Sequence, residues 1–175
     1  TEDTPLNLTD IVVSDIDSAT VTATLTLSNV AAGSLSTATS GAVTSTYIAG
    51  TGVWTASGAI ADVNALLAGV TFAPAANFNG SFSIATSVSD GVAPAITGTK
   101  AFTGTAVNDA PVATNLSAAE SYTEDTPLNL IDIVVSDIDS ASVTATLTLS
   151  DVAAGSLTTA TSGANGMDPP AAVGA

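Results

Sequence analysis

Cysteine and histidine are absent from this 175-residue chain, and Lys100 is its only basic residue. The first absence excludes disulfides, thiol chemistry, zinc sites built from Cys and His, and acid–base catalysis by imidazole. The shortage of Lys and Arg excludes nucleic acid as a partner, because phosphate binding needs clustered cations. The same shortage argues against an anionic membrane surface. No apolar run reaches the length needed to span a bilayer, so direct membrane insertion is not expected. Aromatics make up only 4% of the residues, and any core must be built mainly from Ala, Val, Leu and Ile.

Against one Lys stand 16 acidic residues, for a net charge of -15. Carboxylates without basic partners repel one another and oppose a compact state. Spreading them over solvated surface relieves that repulsion, and so does placing cations between them. Which remedy applies depends on whether the acids cluster.

An internal repeat organises the chain. Residues 1–42 recur as residues 123–164 at an offset of 122, with 38 of the 42 positions identical. The differences are Thr9/Ile131, Thr20/Ser142, Asn29/Asp151 and Ser36/Thr158. A period of this size is that of a whole domain, longer than the short units of solenoids. The expected organisation is therefore a first repeat at 1–107, a linker at 108–112, a truncated second repeat at 113–164 and a non-repeat tail at 165–175. The first repeat lacks the segment equivalent to residues 111–122, and the second lacks most later strands. The tail reads as an appended segment or a divergent end. Strand edges left without partners invite strand exchange.

Thr, Ser and Val recur throughout, which favours strands. Strands are expected at Leu6–Val13, Val21–Ser28, Gly33–Ser40, Ser45–Ala49, Gly52–Ala56, Val70–Phe72, Ser81–Ser89 and Thr97–Val107. Val21–Ser28 alternates apolar and polar residues, the signature of a half-buried antiparallel strand. Ala61–Leu67 has helical spacing and predicts one or two turns. Trp54 and the Phe residues are read as core. These strands, with frequent turns between them, predict an all-β, Greek-key, immunoglobulin/cadherin-like β-sandwich.

The acids do cluster, at segment ends: Glu2-Asp3, Asp15-Ile-Asp17, Asp90 before Gly91, and Asn108-Asp109, with Glu124-Asp125 and Asp137-Ile-Asp139 in the second copy. Taken singly, each needs no role beyond solubilising a loop. Taken together, with almost no basic partners, they point to divalent-cation sites. Calcium takes six to eight oxygen ligands, and an Asp-x-Asp loop can aim two carboxylates at one ion. No EF-hand or glycine-rich calcium-binding nonapeptide is present.

Val107-Asn-Asp-Ala-Pro-Val112, then Thr123-Glu-Asp-Thr-Pro-Leu128, then Ser136-Asp-Ile-Asp139, resembles the cadherin-like repeats of large bacterial surface and secreted adhesins of the RTX type. Residues 61–80 and Val88-Ser-Asp-Gly91 strengthen the resemblance, which covers Thr1 to about Ser162. It implies calcium ions (Ca2+) between consecutive repeats. On that reading Glu2, Asn108, Asp109, Asp137 and Asp139 serve the joint between the two copies, with Asp3 as a further candidate. Asp15, Asp17 and Asp90 would face a preceding repeat, and Glu124 a following one. It also implies an extracellular location on the bacterial surface, and a role in adhesion and biofilm attachment. The partners implied are neighbouring repeats of the same chain and homophilic or host-surface contacts.

Two other classes stay open at the level of sequence. A glycan-binding or accessory module on the same fold would use exposed aromatics, of which Trp54, Tyr47 and Tyr122 are the main supply. A surface-layer component shares the Thr/Ala/acid-rich composition. An enzyme is not expected: paired carboxylates suit glycoside hydrolysis, but no deep-pocket motif, His, Cys nucleophile or phosphate-binding loop is present.

Overall fold

The computed structural model describes residues 1–8, 11–130, 133–159 and 172–174. Its contacts divide into two units, Thr1–Val107 and Asn108–Ala175. The fold is all-β, with antiparallel sheets and a single α-helix among the described residues.

In the first unit the strands are β1 (Leu6–Asn7), β2 (Thr20–Leu27), β3 (Gly33–Leu35), β4 (Thr39–Ser40), β5 (Val43–Thr44), β6 (Thr46–Ile48), β7 (Val53–Ala59), β8 (Thr71–Pro74), β9 (Ser81–Ser89) and β10 (Ile96–Thr103). Helix α1 (Ile60–Gly69) lies between β7 and β8. One sheet runs β10-β9-β2-β7-β6 and a second runs β1-β8-β3. The alternation in β2 does what its period requires: Val21, Ala23, Leu25 and Leu27 are buried, while the Thr residues between them are not. Two neighbours flank this strand, pairing Leu25 with Trp54 on one side and with Thr86 on the other.

Both sheets contribute to one core. Leu35 and Phe72 come from the three-stranded sheet, and Leu25, Trp54 and Ile84 from the five-stranded one. Phe72 and Phe82 meet with ring centroids 4.5 Å apart, and Phe82 stacks on Phe102 at 4.9 Å. Val63, Leu66 and Leu67 seat α1 on the same core.

Most expected elements are present, with shifted ends. The helix is longer than expected, at ten residues, and Gly33–Ser40 is two short strands rather than one. Leu6–Val13 is corrected: among its described residues only Leu6–Asn7 is strand, and Thr9 and Asp10 lie outside the described residues. At Val13 a side chain replaces the ladder. Asn64 of α1 accepts from the Val13 N–H at 2.8 Å and donates to the Val13 carbonyl at 2.8 Å. One amide thus satisfies both backbone groups, as a neighbouring strand would.

The second unit contains β11 (Val112–Ala113), β12 (Leu128–Asn129), β13 (Val135–Ser136), β14 (Ser156–Leu157) and β15 (Ala172–Gly174). β11 pairs with β13, and β15 lies between β12 and β14. The internal repeat of the sequence stops at residue 164, and residues 160–171 lie outside the described residues. Residues 143–149, identical in sequence to residues 21–27, form no strand.

Candidate functional site

Two short acidic motifs shape their own backbone. In the first unit the Asp15 carboxylate accepts from the Asp17 N–H at 2.9 Å and from the Ser18 N–H at 2.6 Å. In the second, Asp137 accepts from the Asp139 and Ser140 N–H groups at 2.9 and 2.7 Å. These are Asx turns, made within three residues, which is why the same sequence builds them twice.

Asp90, at the turn from β9 into β10, joins the first of these loops. One oxygen accepts from the Val92 and Ala93 N–H groups, both at 3.0 Å, and the other accepts from the Ser18 hydroxyl at 3.1 Å. The Val92 and Ala93 amides, in that order, hold its pKa below the ordinary 3.8, with the Ser18 hydroxyl adding to them against a smaller desolvation penalty. A depressed folded pKa gives stability that is present above the unfolded value and is lost as pH falls through the folded value. The midpoint of the Asp90 titration, followed by the Val92 and Ala93 amide shifts, is expected below 3.8. A midpoint at or above that value would show that these amides do not hold the carboxylate.

Glu2 is different in kind, because it is 2% exposed. Its own N–H donates to the Thr105 carbonyl at 3.0 Å, and its Oε1 accepts from the Val107 N–H at 2.5 Å. Its Oε2 is buried with no hydrogen-bond partner among the described residues. A buried carboxylate oxygen without a donor or cation is costly. Glu2 and Asp90 are also separated by the length of β10, whose eight residues span roughly 25 Å. Acids at both ends of the first unit are thus held in defined settings.

In the second unit the Asp109 N–H donates to Asp139 Oδ2 at 2.6 Å, and the Asn108 side-chain amide donates to the Asp109 carbonyl at 2.7 Å. Two of the expected residues, Asp109 and Asp139, are thereby brought together, while Asp137 is engaged in its own turn. Glu2 in the first unit, and Asp109 and Asp139 in the second, each offer a carboxylate oxygen that could ligate a metal ion. Asp3 is placed otherwise: at φ 56° it accepts from the Asn77 N–H at 3.0 Å, which commits it to holding the loop after β8. Glu124 and Asp125 border an open cavity of the second unit.

Sequence reasoning missed Ser18 and the pairing of Glu2 with Val107. Ser18 follows the Asp-x-Asp directly, and a hydroxyl beside paired carboxylates was the available signal. The Glu2 contacts are to backbone groups more than 100 positions away, which leave no mark on residue identity. Among the described residues no helix is long and apolar enough to cross a membrane. Compared with known protein families, curated proteins and solved structures, the chain matches none.

Proposed function

We propose that this chain is a calcium-stiffened spacer of a large extracellular bacterial adhesin, built from tandem cadherin-like Greek-key sandwiches. The observation that carries the reading is the Glu2 carboxylate. One of its oxygens is held by the Val107 N–H, and the other is buried with no hydrogen-bond partner among the described residues. A hard cation is a ligand that such an oxygen suits, and Asp109, Asp137, Asp139 and the Asn108 amide oxygen are of the same chemistry. A bound ion would neutralise part of the acidic excess. Asp15, Asp17 and Asp90 are the candidates at the other end of the first unit. The role is mechanical, without catalysis, and its partners are neighbouring repeats and the surfaces to which the adhesin attaches.

Calorimetric unfolding with calcium or with excess chelator tests this. Calcium at about 100-fold over its dissociation constant is expected to stabilise the native state by about 2.7 kcal/mol, by mass action. Glu2→Gln is expected to lose most of that gain. The proposal fails if neither the unfolding midpoint nor the hydrodynamic radius differs between calcium and chelator.

A further inference from the structure

The loop from β8 to β9 holds two separate parts of the first unit. The Asn77 N–H donates to Asp3 at 3.0 Å, which fastens the segment that carries Glu2. At the other end of the loop the Gly80 carbonyl accepts from the Gly104 N–H at 3.2 Å. The main chain of Asn79 rests directly on Gly104: a Cβ there would lie 2.5 Å from both the carbonyl carbon and the carbonyl oxygen of Asn79. Thr105, the next residue, accepts the Glu2 N–H. The fit around Asn79 is therefore coupled to the seat of Glu2.

Asn79 is also chemically exposed. Only Asn79 and Asn165 are followed by Gly, and Asn165 lies outside the described residues. Asn64 and Asn29 have side chains committed to the backbone groups of Val13 and Ala31. The Asn79 side chain is exposed and makes no hydrogen bond among the described residues. Gly80 lies outside β9, and its N–H makes no backbone hydrogen bond to the described residues. Having no side chain, it leaves that nitrogen unshielded.

We propose that Asn79-Gly80 is a site of spontaneous modification, where deamidation loosens the hold of this loop on the Glu2 segment. The Gly80 nitrogen loses its proton and attacks Cγ of Asn79. A new C–N bond closes a five-membered succinimide. The bond from Cγ to the side-chain nitrogen breaks, and that nitrogen leaves with the proton as ammonia. One water then opens the ring. Attack at Cγ gives aspartate, and attack at the main-chain carbonyl gives isoaspartate, in which the chain runs through Cγ. Either product adds a negative charge to a chain that already carries -15. Isoaspartate also puts an extra carbon into the main chain where it packs on Gly104, and a backbone contact has no flexible end to turn aside. The proposal is independent of calcium.

The full chain is aged in excess chelator at mildly alkaline pH, beside a free peptide with the sequence of residues 75–83, AANFNGSFS. Peptide mapping by mass spectrometry follows the amide-to-acid change at Asn79, and electron-transfer fragmentation identifies isoaspartate. Conversion is expected within roughly tenfold of the peptide's rate, rising with pH as the Gly80 amide deprotonates. A slower rate overturns the assignment. In the isoaspartate chains, hydrogen exchange at the Glu2 and Gly104 amides is expected to quicken by roughly tenfold or more. Asn79→Asp carries the charge without the extra main-chain carbon and is expected to retain the original protection. Asn79→Gln would have to close a six-membered ring, and it is expected to age with neither change. Equal exchange in the isoaspartate and Asn79→Asp chains overturns the loosening, and so does the same quickening in aged Asn79→Gln.

Discussion

Trp54→Ala is expected to remove about 3–5 kcal/mol from the stability of the first unit, the loss typical of a buried aromatic cut to alanine. Stability of a domain is about 5–15 kcal/mol in all, so this single change leaves little. Trp54 is 1% exposed and sits on β7, a strand paired on both sides. Its register partners are Leu25 on β2 and Tyr47 on β6. Its indole N–H donates to the Ser36 carbonyl at 3.0 Å, linking the five-stranded sheet to the segment that leaves β3. The truncation therefore opens a void in the core and leaves that carbonyl without its donor. Trp54→Phe keeps most of the volume and isolates the hydrogen bond, whose loss is expected to cost about 1 kcal/mol. Urea unfolding followed by circular dichroism measures both. A loss below about 1 kcal/mol for Trp54→Ala would show that the core does not depend on it.

Gly33→Ala is expected to cost about 2–4 kcal/mol, through overpacking and backbone strain together. Gly33 opens β3 at φ +154° and pairs with Pro74 of β8. A Cβ there would lie 2.1 Å from the Ala73 carbonyl oxygen and 2.9 Å from the Pro74 Cα. Both are backbone atoms of a paired strand, so neither can turn aside as a flexible side chain would. β3 and β8 would have to part, and Leu35 and Phe72 would lose their shared seat in the core. Chemical denaturation measures the loss, and hydrogen exchange locates it. Ser36 donates its N–H to the Thr71 carbonyl, so protection at that amide should fall with it. An unchanged unfolding midpoint would mean that the strand pair yields without cost.

The fold was legible where a pattern repeats over several residues. β2 could be read from its alternation, α1 from Val63, Leu66 and Leu67, and β9 from Phe82, Ile84 and Val88. Leu6–Val13 misled because its apolar content suits a strand, yet Asn64 takes over the Val13 backbone groups from 51 positions away. The candidate site was legible for the same kind of reason. Asp15-Ile-Asp17 and Asp137-Ile-Asp139 announce themselves because their geometry is made locally. The burial of Glu2, and the commitment of Asp3 to the Asn77 amide, arise from contacts between distant segments.

The duplicated sequence separates the two kinds of information within one molecule. By itself it determined the Asx turn after Asp15 and again after Asp137, and the positive φ of Asp3 and again of Asp125. It also determined the one-turn helix capped by Asn29, and again by Asp151. Each needs hydrogen bonds that reach only two or three residues. The tertiary structure alone decided the fate of VTATLTL. At residues 21–27 it lies in a central strand, because β7 and β9 supply partners on either side, and Leu25 is 1% exposed. At residues 143–149 it forms no strand, and Leu147 is 53% exposed. A strand's hydrogen bonds and its apolar face are both satisfied by other segments, so the sequence that favours a strand cannot complete one without them.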